Sequence, residues 1–208
     1  MPKKLNRIKV EEKLKSMGLI VFTPREFEGV FGVPRATAAY YIASNLESGL
    51  FVKLRNNFYM LKDSHPSMYT IANKLYQPSY ISLEMALSYY GFIPEVVYGM
   101  TSITTKPTRE FVTPRGVFSY QRIKKVAFTG YRFAEVENTR ALMAEPEKAL
   151  ADYLYFVDLK KISLNDRITI KTVRKSQLMR YVKLFQRPGM KKLVEKIYDQ
   201  QRKPREIR

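Results

Sequence analysis

The stretch 33–50, VPRATAAYYIASNLESGL, decides how the first third of the chain is read. Pro34 opens a helix and Gly49 closes it. Ala38, Ile42 and Leu46 fall at i, i+4 and i+8 and form one apolar stripe, with Ala39 and Ala43 beside it. The opposite face carries Arg35, Thr37, Tyr40, Tyr41 and Ser44. Neighbouring helical residues diverge by about 100°, so Tyr40 and Tyr41 cannot both be core; one is expected inside and one outside.

Working outward, TPRE (23–26) is a helix start with a capping box: Thr23 as cap, Pro24 at the first helical position and Glu26 reaching back. That helix is short because Gly32 follows Phe31. Upstream, NRIKVEEKLKSMG (6–18) reads as a helix stopped by Gly18, with Leu14 and Met17 on its apolar side, and LIVF (19–22) as a short strand. Downstream, LFVKLRNNFYML (50–61) reads as a hairpin turning at Asn56 and Asn57, since Asn tolerates positive φ. Two helices joined by a short turn with Gly, then a hairpin, make a winged helix-turn-helix. In that geometry the 34–49 helix enters the major groove of duplex DNA, and Lys53, Arg55, Asn56 and Asn57 on the wing lie near phosphates.

Composition sets the frame. The chain has 208 residues with 45% hydrophobic and 13% aromatic content, enough for a real core. There is no Cys, which removes disulfides and thiolate metal sites, and His65 stands alone, which argues against a His-rich metal site or a Ser-His-Asp triad. No metal or cofactor is expected. No run of about 18 apolar residues exists, and the basic N-terminus has no apolar stretch after it, so no membrane partner is expected and the cytoplasm is the expected location.

Charge is uneven. The net formal charge is +18, and residues 159–208 alone carry 16 Lys+Arg against 4 Asp+Glu. A field of this kind attracts polyanions such as nucleic acid or an acidic protein. Leu178, Tyr181, Val182 and Phe185 form one apolar stripe there, and Met190, Leu193, Val194 and Ile197 a second after Pro188-Gly189. The simplest reading is two helices packed by their apolar faces. Arg174, Lys175, Arg180, Lys183, Arg187, Lys191, Lys192 and Lys196 make a basic exterior for DNA or a protein partner.

Between these ends, a polar, Pro-marked connection (64–80) leads to YISLEMALSYYGFIPE, where Ser82 can cap a helix ending at Gly91. Strand-like runs follow, VVYGMTSITT, REFVT, GVFSYQRI, AFTGY and TRALMA, and suggest a mixed or antiparallel sheet. EPEKALADYLYFVDL then reads as a helix opening at Pro146. These segments resemble, in order and spacing, the AbiEi-type antitoxin family of abortive-infection (type IV) toxin–antitoxin systems, most specifically in YISLEMALSYYG and EPEKALADYLY. The resemblance covers residues 18–158. It implies a repressor that binds inverted repeats upstream of its own operon and counters a cognate nucleotidyltransferase toxin, without necessarily forming a stable complex with it.

The expected fold is thus α+β: a winged helix-turn-helix domain over 1–63, a connection over 64–80, and a mixed αβ domain over 81–208 whose 159–208 part is basic and helical. The alternative is a stand-alone regulator without a toxin. A third reading, a nucleic-acid-processing enzyme using Glu145, Glu147 and Asp152, is disfavoured. Lys148 and Asp152 sit at i, i+4 and pair, and the two glutamates suit a first helical turn. A phosphoryl-transfer site needs carboxylates converging from several elements. No enzyme activity is expected. With no zipper seam, the chain is expected to be a monomer in solution that pairs on DNA.

Overall fold

The computed structural model describes residues 5–202. The chain is α+β, with eight α-helices and two sheets among those residues. Lys203, Arg205 and Arg208, which contribute to the basic C-terminal balance, lie outside the described residues.

The N-terminal part runs α1 (Arg7–Ser16), β1 (Val21–Phe22), α2 (Pro24–Phe31), α3 (Arg35–Glu47), β2 (Phe51–Arg55) and β3 (Phe58–Leu61). Asn6 caps α1, accepting from the Ile8 and Lys9 amides. The apolar side of α1 is Val10 and Leu14 rather than Leu14 and Met17; Met17 is exposed. The Thr23 capping box is present in both directions: the Glu26 amide donates to Thr23 Oγ1, and the Thr23 amide donates to Glu26 Oε2 at 2.8 Å. Gly32, at φ +59°, ends α2 in the left-handed conformation that glycine adopts without strain. The hairpin turns at Asn56 and Asn57, and Asn57 takes φ +64°.

The three strands form one antiparallel sheet in the order β1-β3-β2. Its two faces go to different cores. Phe22, Phe51 and Leu61 join Val10, Leu14, Phe27, Ala38 and Ile42 in the smaller core. Val21, Leu54 and Met60 point the other way and join the larger core of the remaining chain. Strand alternation alone produces this split, so the sheet is a shared wall.

The stretch 64–80 is more than a connection. It contains α4 (Met68–Leu75), capped by Ser67, and β4 (Ser79–Ile81). Ile71, Ala72 and Leu75 of α4 are fully buried. Next come α5 (Leu83–Tyr89), β5 (Met100–Thr104), β6 (Arg109–Thr113), β7 (Gly116–Arg122), a 3-10 turn at Lys125–Ala127, β8 (Tyr131–Val136), β9 (Thr139–Ala144), α6 (Pro146–Asp158), α7 (Lys175–Leu184) and α8 (Pro188–Arg202). The strands form a mixed six-stranded sheet ordered β6-β7-β5-β4-β9-β8, parallel where β4 meets β9 and where β5 meets β7. Of AFTGY (127–131), only Ala127 belongs to the 3-10 turn and only Tyr131 to a strand, and VVYGMTSITT is strand only from Met100 to Thr104.

Helix α4 covers one face of this sheet: Tyr120 of β7 donates its hydroxyl to the Ala72 carbonyl at 2.7 Å. Helix α6 lies on the other face, where Tyr80 of β4 reaches Asp152. The expected stripes of α7 and α8 are buried, but they pack into the larger core rather than only on each other. The C-terminal helices are therefore part of that core, and Tyr155 of α6 stacks on Phe185 at 4.5 Å between ring centroids.

Candidate functional site

Helix α3 presents its N-terminal half outward beside a cleft of about 550 Å³. Thr23, Arg25 and Glu28 of the α2 segment, Arg35, Ala39 and Ala43 of α3, and Asn57 and Tyr59 of the hairpin line it. Three separate elements thus converge on one concave surface. Arg25 was not picked out in the sequence; the signal available was its place at the second position of a short helix whose buried residue is Phe27.

The exposed residues of α3 are Arg35, Ala36, Ala39, Tyr40, Ala43 and Glu47. Tyr40 is 77% exposed. Tyr41 is half-buried, stacked on Phe27 at 5.6 Å and edge-on to Phe51 at 6.3 Å. One tyrosine is outside and one inside, as the 100° divergence requires.

Three expected members of the outer face are placed differently. Tyr41 packs inward, and its hydroxyl is buried with no partner among the described residues; burial raises its pKa. Ser44 donates its hydroxyl to the Tyr41 carbonyl at 3.2 Å, and Thr37 is only partly accessible. Conversely, Ala39 and Ala43, expected beside the buried stripe, are exposed. The helix is rotated relative to the sequence reading because Tyr41, rather than Ala39 and Ala43, fills the space against Phe27 and Phe51.

On the hairpin, Lys53, Asn56 and Asn57 are exposed. Lys53 pairs with Tyr59 across the strands and shares its face, the face toward α3. Arg55 is a correction. Its Nε and Nη2 donate to the Leu75 carbonyl at 2.9 and 2.6 Å, and its guanidinium lies over the Phe58 and Phe111 rings. It fastens the hairpin to the end of α4 instead of facing outward. A second tie links the same two parts: Lys74 of α4 pairs with Glu26 of α2.

The basic C-terminal residues divide into two sets. Arg174 pairs with Glu147, Lys175 with Glu195 and Arg187 with Asp158. Arg180, Lys183, Lys191, Lys192 and Lys196 are exposed and have no carboxylate partner among the described residues. The uniformly basic exterior expected from sequence is therefore interrupted by three ion pairs.

The acids of α6 do not converge. Glu145 accepts from the Tyr181 hydroxyl at 2.7 Å, and Glu147 accepts from the Arg174 backbone and side chain. Asp152 is fully buried with Lys148, which donates to Oδ1, while Tyr80 and Ser82 donate to Oδ2 at 2.9 Å each. Ser82 thus spends its hydroxyl on Asp152 rather than on capping α5. Burial pushes the Asp152 carboxyl up and the Lys148 amine down, each offset in part by the other charge. The pair is a core feature, not a solvated helix pair. No group of three or more His, Cys, Asp or Glu suited to a metal ion occurs among the described residues, and no helix there is long and apolar enough to cross a membrane.

No protein-family model matches the chain, and no curated protein gives a significant match to it.

Proposed function

We propose that the chain is a sequence-specific DNA-binding protein whose first sixty residues form a winged helix-turn-helix, with α3 as the recognition helix and the β2–β3 hairpin as the wing. The observation that carries this is the convergence of α2, α3 and the hairpin on one open cleft. Arg25, Arg35 and Asn57 line that cleft, and Lys53 shares a face with Tyr59 at its edge. The exposed start of α3 suits base edges, and the cations suit phosphates. The net charge of +18 adds a sequence-independent attraction.

Taken with the motifs YISLEMALSYYG and EPEKALADYLY, the reading extends to an AbiEi-type antitoxin that represses its own operon and counters a nucleotidyltransferase toxin. Two chains side by side on an inverted repeat fit this arrangement. A footprint on the DNA upstream of the chain's own gene tests the reading. Protection of a bounded, repeated site supports it; uniform coverage of any duplex contradicts it. Rescue of growth when a neighbouring nucleotidyltransferase is co-expressed tests the antitoxin role, and continued growth arrest contradicts it.

A further inference from the structure

The outward face of α3 is unusual for a surface that reads bases, because it offers few hydrogen-bonding groups. Ser44 donates to the Tyr41 carbonyl at 3.2 Å, and Asn45 donates its amide to the same oxygen at 2.8 Å. Both are turned to the helix's own backbone. Thr37 is partly covered. From the start of α3 to Ala43, the exposed residues are Arg35, Ala36, Ala39, Tyr40 and Ala43; Glu47 is exposed at the far end. Three of the first five end in a methyl group.

Building on the DNA-binding reading, we infer that this face recognises A·T-rich duplex by packing the Ala36, Ala39 and Ala43 methyls against thymine C5-methyl groups in the major groove. Arg35 supplies the polar base contact at the helix start. The thymine methyl is the one apolar group that any base pair presents in that groove. A G·C pair presents no methyl there, and an alanine surface would desolvate its N7, O6 and N4 groups without giving a partner. The spacing fits. Ala36 and Ala43 are seven residues apart, about 10 Å along the helix, or about three base-pair steps. Small side chains also let the backbone come close to the base edges. Charge complementarity favours DNA as the occupant: Arg25, Arg35 and Lys53 are all exposed on the α2, α3 and hairpin elements that frame this face.

The test starts with selection of duplexes by the full chain from a library with about twenty randomised base pairs, the length of two half-sites one helical turn apart. The enriched duplex is then remade with deoxyuridine for thymine, which removes only the methyl. Affinity is expected to fall about three- to fourfold for each contacted methyl lost, and Ala39→Ser is expected to narrow the gap between the two duplexes. An enriched duplex bound equally with thymine and uracil overturns the methyl contact and leaves the DNA reading standing. Failure to enrich any sequence overturns both.

Discussion

Arg55 donates two hydrogen bonds to the Leu75 carbonyl, at 2.6 and 2.9 Å, and so joins the hairpin to the C-terminal end of α4. A cation suits that end of a helix, where carbonyls lack partners. Stability and DNA affinity should therefore separate at this hairpin. Arg55→Ala is expected to cost about 2 kcal/mol, from charged hydrogen bonds and lost ring contacts, in urea unfolding. The salt dependence of DNA binding should stay unchanged. Lys53→Ala should do the reverse, leaving stability nearly intact and flattening the log–log salt slope by about 0.9.

The adjacent tyrosines of α3 should behave as opposites. Tyr40→Ala is expected to leave the unfolding midpoint in place and weaken DNA binding. Tyr41→Ala should cost about 2 kcal/mol, a part-buried ring against Phe27 and Phe51. Tyr41→Phe should be neutral or slightly stabilising, since the buried hydroxyl has no partner. A large loss on Tyr41→Phe would show that the hydroxyl is bonded after all.

Glu26 gives a pH signature. Burial alone would raise its carboxyl, but hydrogen bonds from Lys74 and from the Thr23 amide and hydroxyl outweigh this and hold it below the ordinary value. Its stabilising contribution is present above pH 4.5 and is lost as pH falls through the lowered folded value. Thermal melts of the wild type and Glu26→Gln should diverge above pH 4.5 and converge below it. Parallel curves through acid pH would contradict the ion pair with Lys74.

In the larger core, Lys148→Met leaves the Asp152 carboxylate buried with only Tyr80 and Ser82 as donors. It should cost about 3–5 kcal/mol. The double change Lys148→Met with Asp152→Asn removes both charges and keeps an acceptor for Tyr80 and Ser82. It should recover much of the loss, as read by urea unfolding. No recovery would mean that the ion pair itself, not charge balance, holds this part of the core.

Local chemistry was legible in the sequence, and tertiary destination was not. The Thr23 capping box, the turn at Asn56 and Asn57 and the stripes of α7 and α8 depend on residues close in the chain, and they read correctly. Helix α4 hid between Pro66 and Pro78, whose turn character masked the spacing of Ile71, Ala72 and Leu75. The i, i+4 spacing of Lys148 and Asp152 is the same on a surface or in a core, so it could not announce their burial. Arg55 looked like any hairpin cation until Leu75, twenty residues on, was brought beneath it. The rotation of α3 depended on which neighbour fills the space beside Phe27.

Arg180, Lys183, Lys191, Lys192 and Lys196 of α7 and α8 are exposed cations with no carboxylate partner among the described residues. Deleting the C-terminal helices would remove core residues such as Phe185 and Val194, so point changes are the cleaner probe. Replacing all five by Ser should flatten the DNA salt slope by up to about 0.9 per lost phosphate contact, with little change in stability. An unchanged slope would assign this surface to a protein partner.

The most direct measurement is the affinity of the wild type and Arg35→Ala for the duplex upstream of the chain's own gene and for a scrambled duplex, at one fixed salt concentration. The wild type should prefer the upstream duplex by about a thousandfold or more. Arg35→Ala should lose about tenfold on that duplex and much less on the scrambled one. Equal wild-type affinity for the two duplexes, unaffected by Arg35→Ala, would contradict a sequence-reading role for α3.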